Sequence, residues 1–480
     1  MATRLSISTS LNKPYLNSSA FEDEPVYALL ELHPTVETAP GQRSPLNLVI
    51  AIDASGSMYN FQLSETEREH WMAIALSRDE MERGEADAQD AIFWSGQTLA
   101  DMQSVVRKPM TLAVDAIKEV LHSLQFGDKV AVIAFADSAV TLFSADDWQK
   151  SNEECIGRLD ALLSEHLTTD IGSGTKLAQP LNMALQVIKN AVSPASVNRI
   201  IVISDGIVQD ELNSNSTIET IKSDGFAIST IGIGDEFDEE FLMNVADSTR
   251  GGYHYAADIA TITSELMNEL VVIQSTAIRQ LHIAAQGLSG TVVQDIYMAR
   301  PNMTIFDEID ASDGWIRARV GDLPSDTATS LLVQVAPAKL EDGIRQIATV
   351  ELSWQSMDST NKANGEQQSE SIAATYTTDP TLLGRSNTEV QQLVDRFKAY
   401  KLEREAQRAQ QVGNVEMARE KLGAATRQLH DLGEHKLATD LEAEIANLGA
   451  ANNDPTRPKR IKATTRRLGV STASADSPTL

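Results

Sequence analysis

Two kinds of apolar pattern alternate along the chain. The segments VYALLELH at 26–33, NLVIAID at 47–53, KVAVIAFA at 129–136, RIIVISD at 199–205 and FAISTIGIG at 226–234 are short, apolar and bounded by turn formers, as buried strands are. Between the later ones, 110–124, 177–191, 217–223 and 239–246 repeat apolar residues at helical spacing. Apolar strands separated by amphipathic helices predict a doubly wound α/β unit over 46–275, with a mostly parallel sheet covered on both faces.

A charged stretch from 60 to 108 interrupts this unit. Met72, Leu76 and Met81, or Trp94, Leu99 and Met102, keep imperfect helical spacing there, which reads as a helical or irregular insertion. From 276 to 385 strict alternation takes over in QLHIAAQ, WIRARVGDL, SLLVQVAPA and QIATVELSW, with turns at Gly321, Pro324 and Gly343. That predicts an antiparallel β-sandwich, which the strands within 1–45 would complete, since they need a sheet to pair with. The polar run SMDSTNKANGEQQSES at 356–371 is expected to be a long mobile hairpin loop.

Helical period returns over 386–449, through Leu393, Phe397 and Tyr400, then Leu422, Ala425 and Leu429, then Leu437, Leu441 and Ile445. Gly413-Asn414 and Gly433-Glu434 divide it into three helices, similar to a short tetratricopeptide-like helical hairpin. Residues 452–480 hold six Lys or Arg against two Asp and are rich in Ser, Thr and Pro, the composition of a disordered basic tail.

Composition narrows the function classes. A net charge of −28 over 480 residues repels phosphate backbones and anionic lipid, which disfavours nucleic-acid and membrane partners. The start, MATRLSISTS, lacks a secretory apolar core, and no segment approaches 18 continuous apolar residues, so a cytoplasmic location is expected. Cys155 is the single cysteine. It can form no internal disulfide, which fits a reducing compartment, and its helical spacing with Leu159 and Leu162 marks it as a packed residue rather than a nucleophile. Sequons at Asn17, Asn215 and Asn302 would matter only on export.

The candidate chemistry begins where LVIAID runs into Asp53-Ala54-Ser55-Gly56-Ser57. A carboxylate and two hydroxyls then stand at the carboxyl end of a strand, where open α/β sheets present ligands, and hard divalent cations take such oxygens. This loop resembles the metal-ion-dependent adhesion site of von Willebrand factor A domains. GSGTKLAQPLNMAL at 172–185 is similar to that family's second loop, with Thr175 facing the metal, and IIVISDG at 200–206 to its third, with Asp205. TIGIGDEFDEEFLMNVADSTRGGYHYAAD at 230–258 is typical of its final strand, helix and turn.

The resemblance covers about 46–270 and implies a bacterial-type, non-enzymatic interaction module. In it Asp53, Ser55, Ser57, Thr175 and Asp205 would bind Mg²⁺ (or Mn²⁺ or Ca²⁺), leaving one coordination position for an acidic side chain of a protein partner. The 60–108 insertion, which leaves the chain just after Ser57 and Met58, would either cap that site or pack elsewhere. Some bacterial relatives act as adaptors for AAA-type ATPases or protein kinases, which implies such a partner here. Thr464 and Thr465 lie among basic residues in KRIKATTRRLG, a context for kinases and a phosphopeptide reader.

Other readings are set against this one. Gly172–Lys176 lacks the Gly-Lys pair of a phosphate loop. A metal-dependent hydrolase needs a positioned base, and Asp137 and Asp170, acids near the rim, read as solvated. A structural homo-oligomer, with the basic tail of one copy on the acidic body of another, is the main alternative to the adaptor.

Overall fold

The structure, a computed structural model, describes residues 2–20, 24–37, 43–61, 65–83, 92–164, 170–193, 196–234, 237–256, 259–306, 312–325, 327–357, 363–448, 461–462 and 464–469. The α/β unit is built on a six-stranded sheet ordered Tyr253–Ala256, Ala227–Ile233, Val197–Ser204, Leu46–Asp53, Lys129–Phe135 and Ala139–Phe143. All neighbours are parallel except the last strand, which runs antiparallel. Leu46–Asp53 is central and buried along its whole length. Leu48, Ile50 and Ile52 pack on the side of helices Pro109–Ser123 and Ile262–Gln274, while Val49 and Ala51 pack on the side of Ala178–Ala191. Burial on both faces is why the strand is apolar at every position but Asn47 and Asp53, rather than alternating.

Two further five-stranded sheets pack into a sandwich that includes the amino-terminal strands. One sheet is ordered Ala2–Leu11, Val26–Glu37, Thr329–Ala336, Val292–Arg300 and Thr304–Ile305. The other is Trp315–Pro324, Thr276–Gly287, Gly343–Met357, Ala363–Thr377 and Tyr15–Asn17. Most of the supposed loop at 356–371 is strand: Gly343–Met357 pairs with Ala363–Thr377 out to Met357 opposite Ala363. Gly365, Glu366 and Gln367 are exposed, so the far end of the ribbon is polar because nothing covers it, not because it lacks structure. Residues 358–362 lie outside the described residues.

The sandwich covers the amino-terminal ends of the parallel strands. Arg279 donates to the Ser196 carbonyl at 2.8 Å, and Arg319 to the carbonyls of Lys222 and Gly225 at 3.0 and 2.9 Å. The carboxyl ends, which carry Asp53 and Ser204, are at the opposite edge of the sheet.

Thr388–Gln411, Val415–Asp431 and His435–Asn447 form the helical segment. Gly413 and Gly433 take the left-handed conformation at the two turns (φ 73° and 79°), and Asn414 then caps the second helix by accepting from Met417 N at 3.1 Å. Strand Val26–Glu37 serves both sides of its sheet: Ala28, Leu30 and Leu32 enter the sandwich core, whereas Tyr27 and Leu29 join Tyr297, Phe397 and Tyr400 beneath the helices.

The basic tail departs from expectation over residues 461–462 and 464–469; the rest of 452–480 lies outside the described residues. Ile461 and Lys462 are helical, as are Thr464–Arg466, and Arg467–Gly469 form a 3₁₀ turn. Ile461, Thr465, Arg466 and Leu468 are buried. Lys462 pairs with Glu239 at 2.9 Å, Arg466 with Asp247, and Arg300 Nε donates to the Gly469 carbonyl at 2.7 Å. The segment is basic because it lies along an acidic helix of its own chain. Of the two threonines only Thr464 faces solvent.

The insertion comprises helices Glu65–Arg78 and Gly96–Val105 around a hairpin of Met81–Arg83 and Ile92–Trp94. Leu76, expected on an apolar helical face, is exposed, while Trp71, Ala75 and Met102 are buried. The Glu80 carboxylate caps the second helix, accepting from Gln97 N and Thr98 N, and Arg78 pairs with Asp101 at 2.8 Å. No helix among the described residues is long and apolar enough to cross a membrane.

Candidate metal centre

Three loops at the carboxyl edge of the sheet bring Asp53, Ser55, Ser57, Thr175 and Asp205 into one hydrogen-bonded cluster. Ser57 Oγ donates to Asp205 Oδ1 at 2.7 Å, the Ser55 and Ser57 hydroxyls are 3.0 Å apart, and Ser55 N donates to Asp53 Oδ1 at 2.8 Å. The Thr175 hydroxyl also bonds to the Asp53 side chain. Asp53, Ser55, Thr175 and Asp205 are buried, and Ser57 is partly exposed.

Burial raises the Asp53 carboxyl to about 6, against the hydrogen bonds of Ser204, Ser55 and Thr175, which lower it. Among the described residues it is met by three hydroxyls and an amide, none of them charged. Such a carboxylate is costly unless a positive charge reaches it. Among the described residues no group of three or more His, Cys, Asp or Glu is arranged to hold a metal, so a cation here would depend on hydroxyls for the rest of its shell. Two carboxylates and three hydroxyls are all hard oxygen donors, and on this ground the residues fit Mg²⁺ or a similar divalent ion.

Several residues that position the site escaped the sequence reading. Ser204 Oγ donates to Asp53 Oδ2 at 2.5 Å; Ser204 immediately precedes Asp205, but nothing in its spacing sets it apart from other strand-end serines. Asp137, read as a solvated acid, accepts from Ser173 N and Gly174 N at 3.1 Å each and pairs with Lys176 at 3.0 Å, so it shapes the loop that presents Thr175. These bonds hold its carboxyl below the usual range, the Lys176 bond foremost. Asp210 takes two amides farther along, Leu177 N and Ala178 N, at 2.7 and 3.0 Å. Asp170 is exposed. Gly206 is needed for close approach, since a Cβ there would lie 2.3 Å from Thr175 Oγ1. Cys155 is buried with Leu159 and Leu162, and burial pushes its thiol up.

Comparison with known proteins agrees with this architecture. Residues 103–269 match the von Willebrand factor type A domain family, and residues 388–471 match the Sll0103-like, C-terminal alpha-helical domain, a span that takes in the docked tail. The first of these matches begins inside the second helix of the insertion and leaves out the Asp53–Ser57 loop. A von Willebrand factor A domain-containing protein of Dictyostelium discoideum is 22% identical over 205 residues, which are 41% of this chain and 20% of that protein. The chain thus aligns with about a fifth of that relative's length.

Among solved structures, a von Willebrand factor type A protein from Catenulispora acidiphila superposes with a TM-score of 0.66 at 16% identity, covering 96% of each chain. The ArnB paralog VWA2 from Sulfolobus acidocaldarius gives 0.50 at 14% identity, covering 97% of this chain and 99% of its own. At these identities the likeness is one of fold. The chain therefore contains a von Willebrand factor type A domain, to which an antiparallel sandwich and a C-terminal helical domain are joined.

Proposed function

We propose that the protein is a non-enzymatic adaptor that captures a protein partner through a divalent cation, Mg²⁺ foremost, held by Asp53, Ser55, Ser57, Thr175 and Asp205. The observation that carries this reading is the convergence of those five oxygen-bearing side chains on the sheet edge opposite the sandwich. A bound cation would supply an electrophilic position for an external carboxylate. The chain's own part is to keep the oxygens together: Ser204 fixes Asp53, and Asp137 and Asp210 fix the two ends of the Thr175 loop. Interaction is the common role of this domain, and a partner with an exposed acidic side chain is the chemical match. An AAA-type ATPase and a phosphopeptide reader are the first partners to try.

The test measures Mg²⁺ binding by calorimetry and partner recovery from extract, with and without chelator, for the natural chain and Asp53→Ala. The adaptor reading expects a single Mg²⁺ site and partners lost both with chelator and in the variant. Identical recoveries in all four arms would sink it.

A further inference from the structure

A cavity of about 200 Å³ lies where the α/β domain, the sandwich and the docked tail meet, at the edge of the sheet away from Asp53. Each unit gives it one buried donor-bearing residue: Arg199 from strand Val197–Ser204, Thr329 from strand Thr329–Ala336 and Arg466 from the tail. They are 4%, 1% and 5% exposed. Arg199 Nε, Thr329 Oγ1 and Arg466 Nε and Nη1 are buried without a hydrogen-bond partner among the described residues. Buried polar groups are ordinarily paired, so four orphans around one small cavity call for an explanation.

What these groups do bind leaves those atoms over. Arg466 meets Asp247 through Nη2, and Arg199 reaches Asp322 and the Arg250 carbonyl only at 3.5 Å, through its terminal nitrogens. Three of the four orphan atoms are guanidinium N–H donors and the fourth is a hydroxyl that can donate. Their complement is an acceptor with several oxygens and negative charge, which guanidinium groups recognise best. His254 also lines the cavity, bonded to Glu265 at 3.0 Å and to Glu269 at 2.8 Å, and each of the three lining carboxylates is engaged: Glu269 by His254 and Ser229, Asp247 by Arg466, and Asp322 by Arg199 and Gln280 N.

We infer that this junction binds a small oxyanion, phosphate- or carboxylate-bearing, between Arg199, Thr329 and Arg466. The ligand touches all three units, and its occupancy tightens the tail.

The experiment titrates the full chain, freed of divalent cations on a chelating resin so that no cation at Asp53 contributes, by calorimetry with sodium phosphate, sodium succinate and sodium chloride at matched ionic strength. One oxyanion should bind at one per chain while chloride gives no heat. Phosphate alone would point to a phosphate-bearing ligand, succinate alone to a carboxylate, and both to a general oxyanion site. Thr329→Val, which keeps the side-chain shape, and Arg199→Lys, which keeps the charge, should each weaken binding about tenfold, and the anion should slow deuterium uptake at 461–469. No heat from either oxyanion overturns the inference, leaving the cavity to solvent, and undiminished binding in both variants overturns it by placing the ligand elsewhere.

Discussion

Ser57 Oγ donates to Asp205 Oδ1 across 2.7 Å, although 148 positions separate the two residues. This bond closes the cluster between its first and third loops, yet it rests on a partly exposed hydroxyl. Ser57→Ala should therefore weaken Mg²⁺ binding at least tenfold while costing only about 1.5 kcal/mol of folding stability, the low end for a hydrogen bond to a charged group. Calorimetric titration beside a denaturant melt separates the two effects. A variant that binds Mg²⁺ like the natural chain would remove Ser57 from the ligand set.

Gly206 gives an independent handle on the same cluster, because it is no ligand. An added Cβ would stand 2.3 Å from Thr175 Oγ1 and 3.2 Å from Thr175 Cβ. Gly206→Ala should push Thr175 off its place and lower Mg²⁺ affinity by about an order of magnitude, as misplacing a ligand or its support does. Thr175→Ala should then add little further loss in the double variant, since both act on one oxygen. Additive losses would show that Thr175 and Gly206 act separately.

His254 links pH to stability at the far edge of the sheet. Burial lowers its pKa, but the hydrogen bonds and charges of Glu265 and Glu269 outweigh burial and raise it to about 9. Its stabilisation is complete below the unfolded value near 6.5 and fades as pH rises through about 9, by up to about 3 kcal/mol. The two glutamates run the other way. Glu265 is lowered chiefly by its His254 bond, and in Glu269 the His254 contacts overcome burial, so their share is present above about pH 4.5 and lost in acid. Denaturant melts from pH 5 to 9.5 should show stability falling on the alkaline side, and His254→Gln should flatten that slope even as it lowers the whole curve. An equal slope in the variant would assign the titration to another group.

The sheet, and the convergence of the five candidate residues, are legible because each is written locally. An apolar run ending in Asp53-Ala54-Ser55-Gly56-Ser57 needs no partner to be read, and Thr175 and Asp205 follow strand ends or glycines in the same way. Roles that depend on distant segments left no such mark. Asp137 looks like any surface acid until it meets the amides of Ser173 and Gly174, and Ser204 acquires its role only by facing Asp53 from a neighbouring strand. The 356–371 ribbon was misread because strand pairing of polar residues on an uncovered sheet has no hydrophobic signature. Residues 461–462 and 464–469 of the tail hide their order for the same reason: their composition is that of a solvated end, and what orders them is a complementary acidic helix more than 200 positions earlier.

The same segment is also held at its far end, against the sandwich strand that carries Ala299 and Arg300. A Cβ on Gly469 would lie 1.8 Å from the Ala299 carbonyl oxygen, a backbone contact that cannot turn aside. Gly469→Ala should therefore lift the end of the tail, break the Arg300–Gly469 bond and raise deuterium uptake across 461–469 severalfold, with the Asp53 site still binding Mg²⁺ normally. Arg466→Ala should cost more, about 3 kcal/mol, because it leaves the Asp247 carboxylate buried without its partner. The order of the two matters: a tail held mainly by the ion pair tolerates Gly469→Ala as local fraying, whereas one held by its close fit to Ala299 loses protection along its whole length. Uptake unchanged in both variants would mean that the tail is anchored at neither point.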